Sequence, residues 1–159
     1  MKLQKRETFS YKRCGEPKYV KAKASNLRVR FKTLVETANA ISGMQVTRAQ
    51  QYLKNVLGHK ECVPFKKFSG GIGKCAQAKQ FKTVSGRWPS KAVKSMNELL
   101  INATSNAYYS GIDPEDLFVC HIEVNPAPVS SRRTFRAHGK INPHVSHLSH
   151  IQIVLKLED

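Results

Sequence analysis

The 159-residue sequence predicts an α+β fold: three helices packed on a small antiparallel sheet, with a long protruding β-hairpin. Three observations lead there. Phe118–Val124 and Ile151–Leu157 each alternate in the manner of half-buried antiparallel strands. The alternation assigns Phe118, Cys120, Ile122 and Val124 to one face, and Ile151, Ile153, Leu155 and Leu157 to the matching face of the second strand. Upstream, three stretches repeat apolar residues at helical spacing. Between the two strands, Ala127–Pro143 holds Arg132, Arg133, Arg136, Lys140 and the aromatic Phe135, and no acid. A connection that long without periodicity is functional or disordered. Its composition marks an extended basic hairpin arm, about residues 125–149, suited to a polyanion.

Taken in order, residues 1–19 are charged and poor in apolar groups, a basic tail expected to order only on its partner. Val20, Ala22 and Ala24 alternate with Lys21, Lys23 and Ser25, which predicts a short edge strand with lysines on its open face. Phe31, Leu34, Val35, Ala38 and Ile41 form a helical stripe that stops at Gly43. Thr47 is the expected N-cap of a second helix, whose stripe is Ala49, Tyr52, Leu53, Val56 and Leu57, and Gly58 ends it. Residues 60–88 break the pattern with a basic, aromatic, glycine-rich insertion, Pro64–Lys74, followed by Lys79, Phe81, Arg87 and Trp88. The third helix starts near Pro89, placed in its first turn, where the missing N–H costs nothing. Its stripe is Ala92, Val93, Met96, Leu99, Leu100, Ala103 and Ala107, and Gly111 closes it. Asp113-Pro114 turns the chain into the first long strand. Residues 20–159 are thus expected to form a single globular domain carrying both the insertion and the arm.

Charge narrows the function. Lys and Arg number 27 against 11 acids, a net charge of +16. A chain so far from neutrality repels itself unless an anionic partner is present. The excess is uneven: residues 1–32 and 33–90 are strongly basic, whereas 91–128 carry two bases against five acids. One side is therefore expected to face solvent and the rest a polyanion. No apolar run is long enough to span a bilayer, so no membrane insertion is expected, and the N-terminus lacks the apolar core of a secretory signal. Cys14, Cys62, Cys75 and Cys120 show no Cys-x-x-Cys pairing. They read as free thiols of a reducing compartment, cytosol or nucleus, with Cys120 packed in its strand.

Arg132-Arg133-Thr134-Phe135-Arg136 carries the clearest chemistry, because guanidinium groups bind phosphate bidentately and stack on bases, and Phe135 adds a stacking face. Gly70-Gly71-Ile72-Gly73-Lys74 misses the Walker spacing, and Cys75 stands where Ser or Thr is needed. It reads as a loop that lets backbone approach an RNA phosphate. His138, His144, His147 and His150 lack the rigid paired placement and the carboxylate or thiolate support of a metal site. Asp113, Glu115 and Asp116 lie in a turn, where they cap rather than hold magnesium. No nucleophile–base pair emerges, so no enzyme and no cofactor are expected. The rival readings are a free-standing RNA-binding regulatory protein, a nucleic-acid-processing enzyme and a secreted cationic membrane-active protein. The basic excess, the absence of clustered acids, and the lack of signal and disulfides argue against them in turn.

Ser25–Val29, Cys62–Gln80, Gly86-Arg87-Trp88-Pro89 and Arg132–Pro143 resemble the large-subunit ribosomal protein family numbered twenty-two universally and seventeen in eukaryotic cytosolic ribosomes. The likeness runs from about Ala22 to Leu157, and Cys75–Lys79 favours the eukaryotic branch. It departs at Met1–Tyr19, which matches loosely, and in the absence of the long charged C-terminal tail of animal members. The resemblance implies a structural, non-catalytic constituent of the large subunit, with large-subunit rRNA, neighbouring large-subunit ribosomal proteins and the nascent polypeptide as partners. It implies cytoplasmic ribosomes, nucleolar passage during assembly, and a hairpin whose tip lines the exit tunnel. Phe135, Arg136, Ala137, His138 and Gly139 would form that tip. The RNA-binding set it suggests, together with the charge pattern, is Arg28, Arg30, Lys32, Arg48, Lys66, Lys67, Lys74, Lys79, Arg87, Arg132, Arg133, Phe135, Arg136, His138 and Lys140. At about 3.3 Å per residue the arm and its strands could extend roughly 60 Å, enough to cross a thick layer of RNA. An isolated two-stranded ribbon is marginal in water, so the distal arm is expected to order only on rRNA.

Overall fold

In the computed structural model, which describes residues 9–10 and 19–157, the strands pair as one three-stranded antiparallel sheet, β1 (Tyr19–Leu27), β5 (Ile141–Leu157) and β4 (Leu117–Phe135), in the order β1-β5-β4. The long central strand serves two partners in turn. Tyr19 to Leu27 pair with Lys156 to Ser149 of β5, and β4 pairs along the whole length, from Leu117↔Leu157 to Phe135↔Ile141. Apart from Phe9, Ser10 and Tyr19, the basic tail lies outside the described residues, as do residues 158–159.

Three helices cover one face: α1 (Phe31–Ile41), α2 (Val46–Leu57) and α3 (Ser90–Tyr109). Their buried stripes meet the inward residues Val20, Ala22, Ile151, Ile153 and Leu155, as the periodicities predict. Phe31 and Val35 are only half-buried, and Leu57 lies at the exposed end of its stripe. The largest fully buried side chain is Tyr52, whose hydroxyl donates to the Cys62 carbonyl at 2.8 Å. That bond allows a phenol in the core without an orphaned polar atom, and burial pushes its pKa above the usual tyrosine range.

Three local expectations need correction. Leu117 and Val119 are the buried residues at the start of β4, whereas Phe118 is half-buried and Cys120 exposed. A bulge between Val119 and His121 inserts one residue, so the inward phase is odd before it and even after it, where Ile122 and Val124 pack on the core. The second helix begins at Val46 with Gln45 at the cap, not Thr47. Tertiary ties set that start: Gln45 bridges Phe118 and donates to the Glu115 carbonyl at 2.6 Å, and Met44 and Gly43 bond to Val119. Pro89 is the cap of α3 rather than its first residue. The Asp113 carboxylate, as expected, caps a short 3-10 turn by accepting from the Glu115 N–H at 3.1 Å.

The insertion folds back on itself. β2 (Val63–Pro64) pairs with β3 (Gly86–Arg87), and a 3-10 turn spans Ala76–Phe81. Val63 and Phe65 enter the main core. Beyond Ala127 and Ser149, the last buried residues of the two long strands, the hairpin projects as a ribbon on its own. At about 3.3 Å per residue its free part measures roughly 25–30 Å.

Candidate nucleic-acid interface

All fifteen side chains expected to meet RNA are exposed, but the fold distributes fourteen of them over three places and sets Arg48 apart on α2. The first is formed by Arg28, Arg30 and Lys32, at the junction of β1 and α1. Helices α1 and α3 both begin here without a side-chain cap bond and without an acid in the first turn. The Ser90 N–H is taken by the Trp88 carbonyl at 2.9 Å, but first-turn N–H groups without an intrahelical partner and the positive dipole ends favour anions. A cleft of about 330 Å³ lies between them, lined by Arg28, Arg30, Thr33, Trp88, Ser90 and Lys91 among others.

The second place is the insertion, which carries Lys66, Lys67, Lys74, Lys79 and Arg87. Its shape depends on the two acids found between residues 33 and 90. Glu36 is 1 % exposed, and its carboxylate accepts from the Phe68 N–H at 2.6 Å and the Lys66 N–H at 3.2 Å. Glu61 accepts from Arg48 at 2.8 Å and from Asn55 at 3.3 Å, which raises the Arg48 pKa. Arg48, on α2, therefore spends much of its charge inside the molecule. Arg87 donates to the Gly71 carbonyl at 3.0 Å, and the single Trp88 donates to Gln77 at 3.1 Å with the His59 ring 4.9 Å away. Sequence reasoning missed both acidic clamps. The signal was available: a lone acid in a stretch that otherwise avoids acids needs a local reason.

The arm is the third place. Its ladder continues to Phe135↔Ile141, and the Arg136 N–H closes the tip on the Lys140 carbonyl at 2.8 Å. His138 and Gly139 turn the chain with φ of 58° and 67°. Glycine takes that conformation freely, and histidine is among the side chains that enter it more readily than most. Residues opposite one another in an antiparallel pair share a face. One face of the distal ribbon therefore bears Ser131, Arg133, Phe135, Ile141, Pro143 and Val145, and the other Ser130, Arg132, Thr134, Asn142, His144 and Ser146. The first is apolar apart from Arg133 and Ser131, with Phe135 78 % exposed; the second is polar throughout. Apolar stacking and hydrogen bonding are thus segregated to opposite sides, which composition alone did not disclose. The four histidines are strung out along the arm, and the His150 Nδ1 accepts from the Asn26 N–H at 3.2 Å. Among the described residues no group of three or more His, Cys, Asp or Glu could hold a metal, and no helix is long and apolar enough to cross a membrane.

A basic cleft, an acid-free arm and a clamped insertion thus sit on one α+β body. The profile of the family described as "Ribosomal protein L22p/L17e" matches residues 22–156. The chain belongs to that family. Family members with which it aligns over 138 residues, 87 % of its length, are each named "Large ribosomal subunit protein uL22". That of Biphyllus lunatus is 57 % identical with 76 % of its own length covered, that of Agriotes lineatus 56 % with 73 %, and that of Drosophila melanogaster 53 % with 74 %. L22p/L17e is a family of structural ribosomal proteins rather than of enzymes, and its α+β fold is the one the strands and stripes predict.

Proposed function

We propose that this large-subunit ribosomal protein binds rRNA through the basic cleft, the insertion and the arm, supports assembly of the subunit, and lines the polypeptide exit tunnel with the tip Phe135–Gly139. The single observation that carries the reading is the arm. It is a two-stranded ribbon beyond the core that offers Arg132, Arg133, Arg136 and Lys140, no acid, and an exposed Phe135. A ribbon of that kind has too little buried surface to be stable by itself, and its cations call for a polyanion that surrounds it. Phosphate contacts dominate affinity and make binding salt-sensitive, while guanidinium and phenyl stacking fix position. The protein passes through the nucleolus during assembly and works in the cytoplasm, with neighbouring large-subunit proteins and the nascent chain as its other partners.

Sedimentation of the tagged protein through a salt gradient tests this. It should travel with large subunits at low salt and leave them only at high ionic strength. Protein that remains at the top at low salt would instead fit a free-standing RNA-binding regulator.

A further inference from the structure

A second, larger cleft of about 610 Å³ opens where the insertion, the start of α1 and the root of the arm meet. Its volume falls within the roughly 300–1,000 Å³ of pockets that enclose organic ligands. The walls are apolar: Phe31 from α1, Phe65, Phe68 and Ile72 from the insertion, and Ala127 and Leu148 from the arm. Phe31 and Phe68 stand edge to face at 6.2 Å and 65°. The rim is cationic, with Arg30, Lys32 and Arg87. Ammonium groups of Lys32 and Lys67 lie 5.6 and 5.7 Å from the Phe68 ring centre. No acid lines the cleft. Behind the Phe68 wall, the Glu36 carboxylate is buried and accepts from the Lys66 and Phe68 N–H groups, so it fixes that wall without lining the opening.

We propose that this cleft receives one unstacked nucleotide of the rRNA, its base against Phe68, Phe31 and Ile72 and its phosphates on Arg30 and Arg87. The inference rests on the RNA-binding function proposed above and names the site and the form of RNA recognised there. A duplex would present its backbone and the polar edges of its bases, whose faces are stacked inside, and would leave the apolar walls uncovered. A bulged or looped base covers them and brings its phosphates to the rim, the mode by which proteins read RNA outside helices. A side chain of a neighbouring protein could fill the walls, but it would leave three cations without counter-charges. Charge complementarity therefore selects the nucleotide.

The test uses the full chain in assembled subunits, with Phe68→4-benzoylphenylalanine as a photo-crosslinking probe. Irradiation should join it to one rRNA nucleotide. A crosslink to a ribosomal protein, or none from subunits that carry the probe, overturns the inference and leaves rRNA binding elsewhere intact. Failure of the unsubstituted chain to enter subunits at all would overturn the proposed function itself. A second measurement covers a fold disturbed by the probe. In subunits carrying Phe68→Ala, base-selective chemical modification should rise at that same nucleotide by about 5- to 150-fold, the range set by loss of one base–aromatic stack. Unchanged reactivity at every base would be fatal to the inference.

Discussion

Replacing Glu36 by Gln keeps the size of the side chain and removes one acceptor. The carboxylate now receives two backbone N–H groups, from Phe68 at 2.6 Å and Lys66 at 3.2 Å, in a position 1 % exposed. An amide can accept one of them through its oxygen; its NH2 then faces the other donor. A hydrogen bond to a charged group contributes about 1.5–3 kcal/mol, against about 0.5–1.5 for a neutral one, and a buried donor left without a partner costs about 1–3 kcal/mol. Relief from burying a charge offsets part of this, which leaves an expected loss of about 2 kcal/mol. For a chain of this length each kcal/mol lowers the melting temperature by about 2–4 °C, so the shift should be roughly 4–8 °C. Thermal unfolding followed by circular dichroism measures it. Hydrogen exchange should in addition show the Phe68 amide losing protection before the α1 amides do. A melting temperature unchanged within one degree, with the Phe68 amide as protected as before, would refute the claim that Glu36 clamps the insertion.

Gly86→Ala places a Cβ 2.8 Å from the Cys62 Sγ and 3.4 Å from Ala78 Cβ and the Val63 carbonyl. It should cost about 1–3 kcal/mol by overpacking, and adding Cys62→Ala should recover part of that in urea unfolding followed by Trp88 fluorescence; strictly additive losses would exclude the clash. Burial, with Cys75 adjacent, pushes the Cys62 thiol up to about 11 from an ordinary 9.0. A neutral thiol is favoured by the fold, so its contribution is complete below about 9 and declines as the pH rises to about 11; Cys62→Ala should flatten that part of the stability–pH curve. Hydrogen bonds from Ser10 and then Asn125 hold the Glu123 carboxyl below its ordinary value of 4.5. The tether of Ser10 to β4 should therefore persist above that value and be lost as the pH falls through the lowered one, a loss readable as faster exchange near Ser10. Arg133→Glu or Arg136→Glu should impair entry into subunits more than Lys94→Glu on α3, and should reduce the salt slope of rRNA binding by about one; equal, negligible effects would remove the arm from the RNA interface.

The helices were legible because Leu34, Ala38, Ile41 and their counterparts in α2 and α3 obey one period over long stretches. The β1 edge was legible from as little as Val20, Ala22 and Ala24. The start of β4 was not, because Leu117 and Val119 are as apolar as Phe118 and Cys120. With both phases available, only the bulge before His121 decides between them. The cap of α2 was misplaced for a related reason: local preference favoured Thr47, but hydrogen bonds of Gln45, Met44 and Gly43 with residues seventy or more positions away set the boundary. The cationic residues expected at the interface came from the family resemblance and the charge pattern, and the fold leaves each of them exposed. The apolar cleft was hidden, since Phe31 reads as the first member of a core stripe and Phe68 as a loop aromatic, and only the fold brings them to one wall.

The prolines of the arm have a further consequence. β4 is an edge strand carrying Pro126 and Pro128, and past Ser149 β5 loses its β1 neighbour and carries Pro143. Each removes a main-chain donor from a ribbon whose two margins would otherwise invite another strand. Arg132 and Arg133, close behind, repel a second copy of the same segment. Exposed β-edges are the usual starting points of self-association, and under the proposed function a chain of +16 made apart from rRNA passes through an interval in which no RNA covers this one. The residues that withhold main-chain donors and repel a second copy make the arm a poor template for aggregation, so under the proposed function the ribbon can wait for RNA without recruiting its own kind.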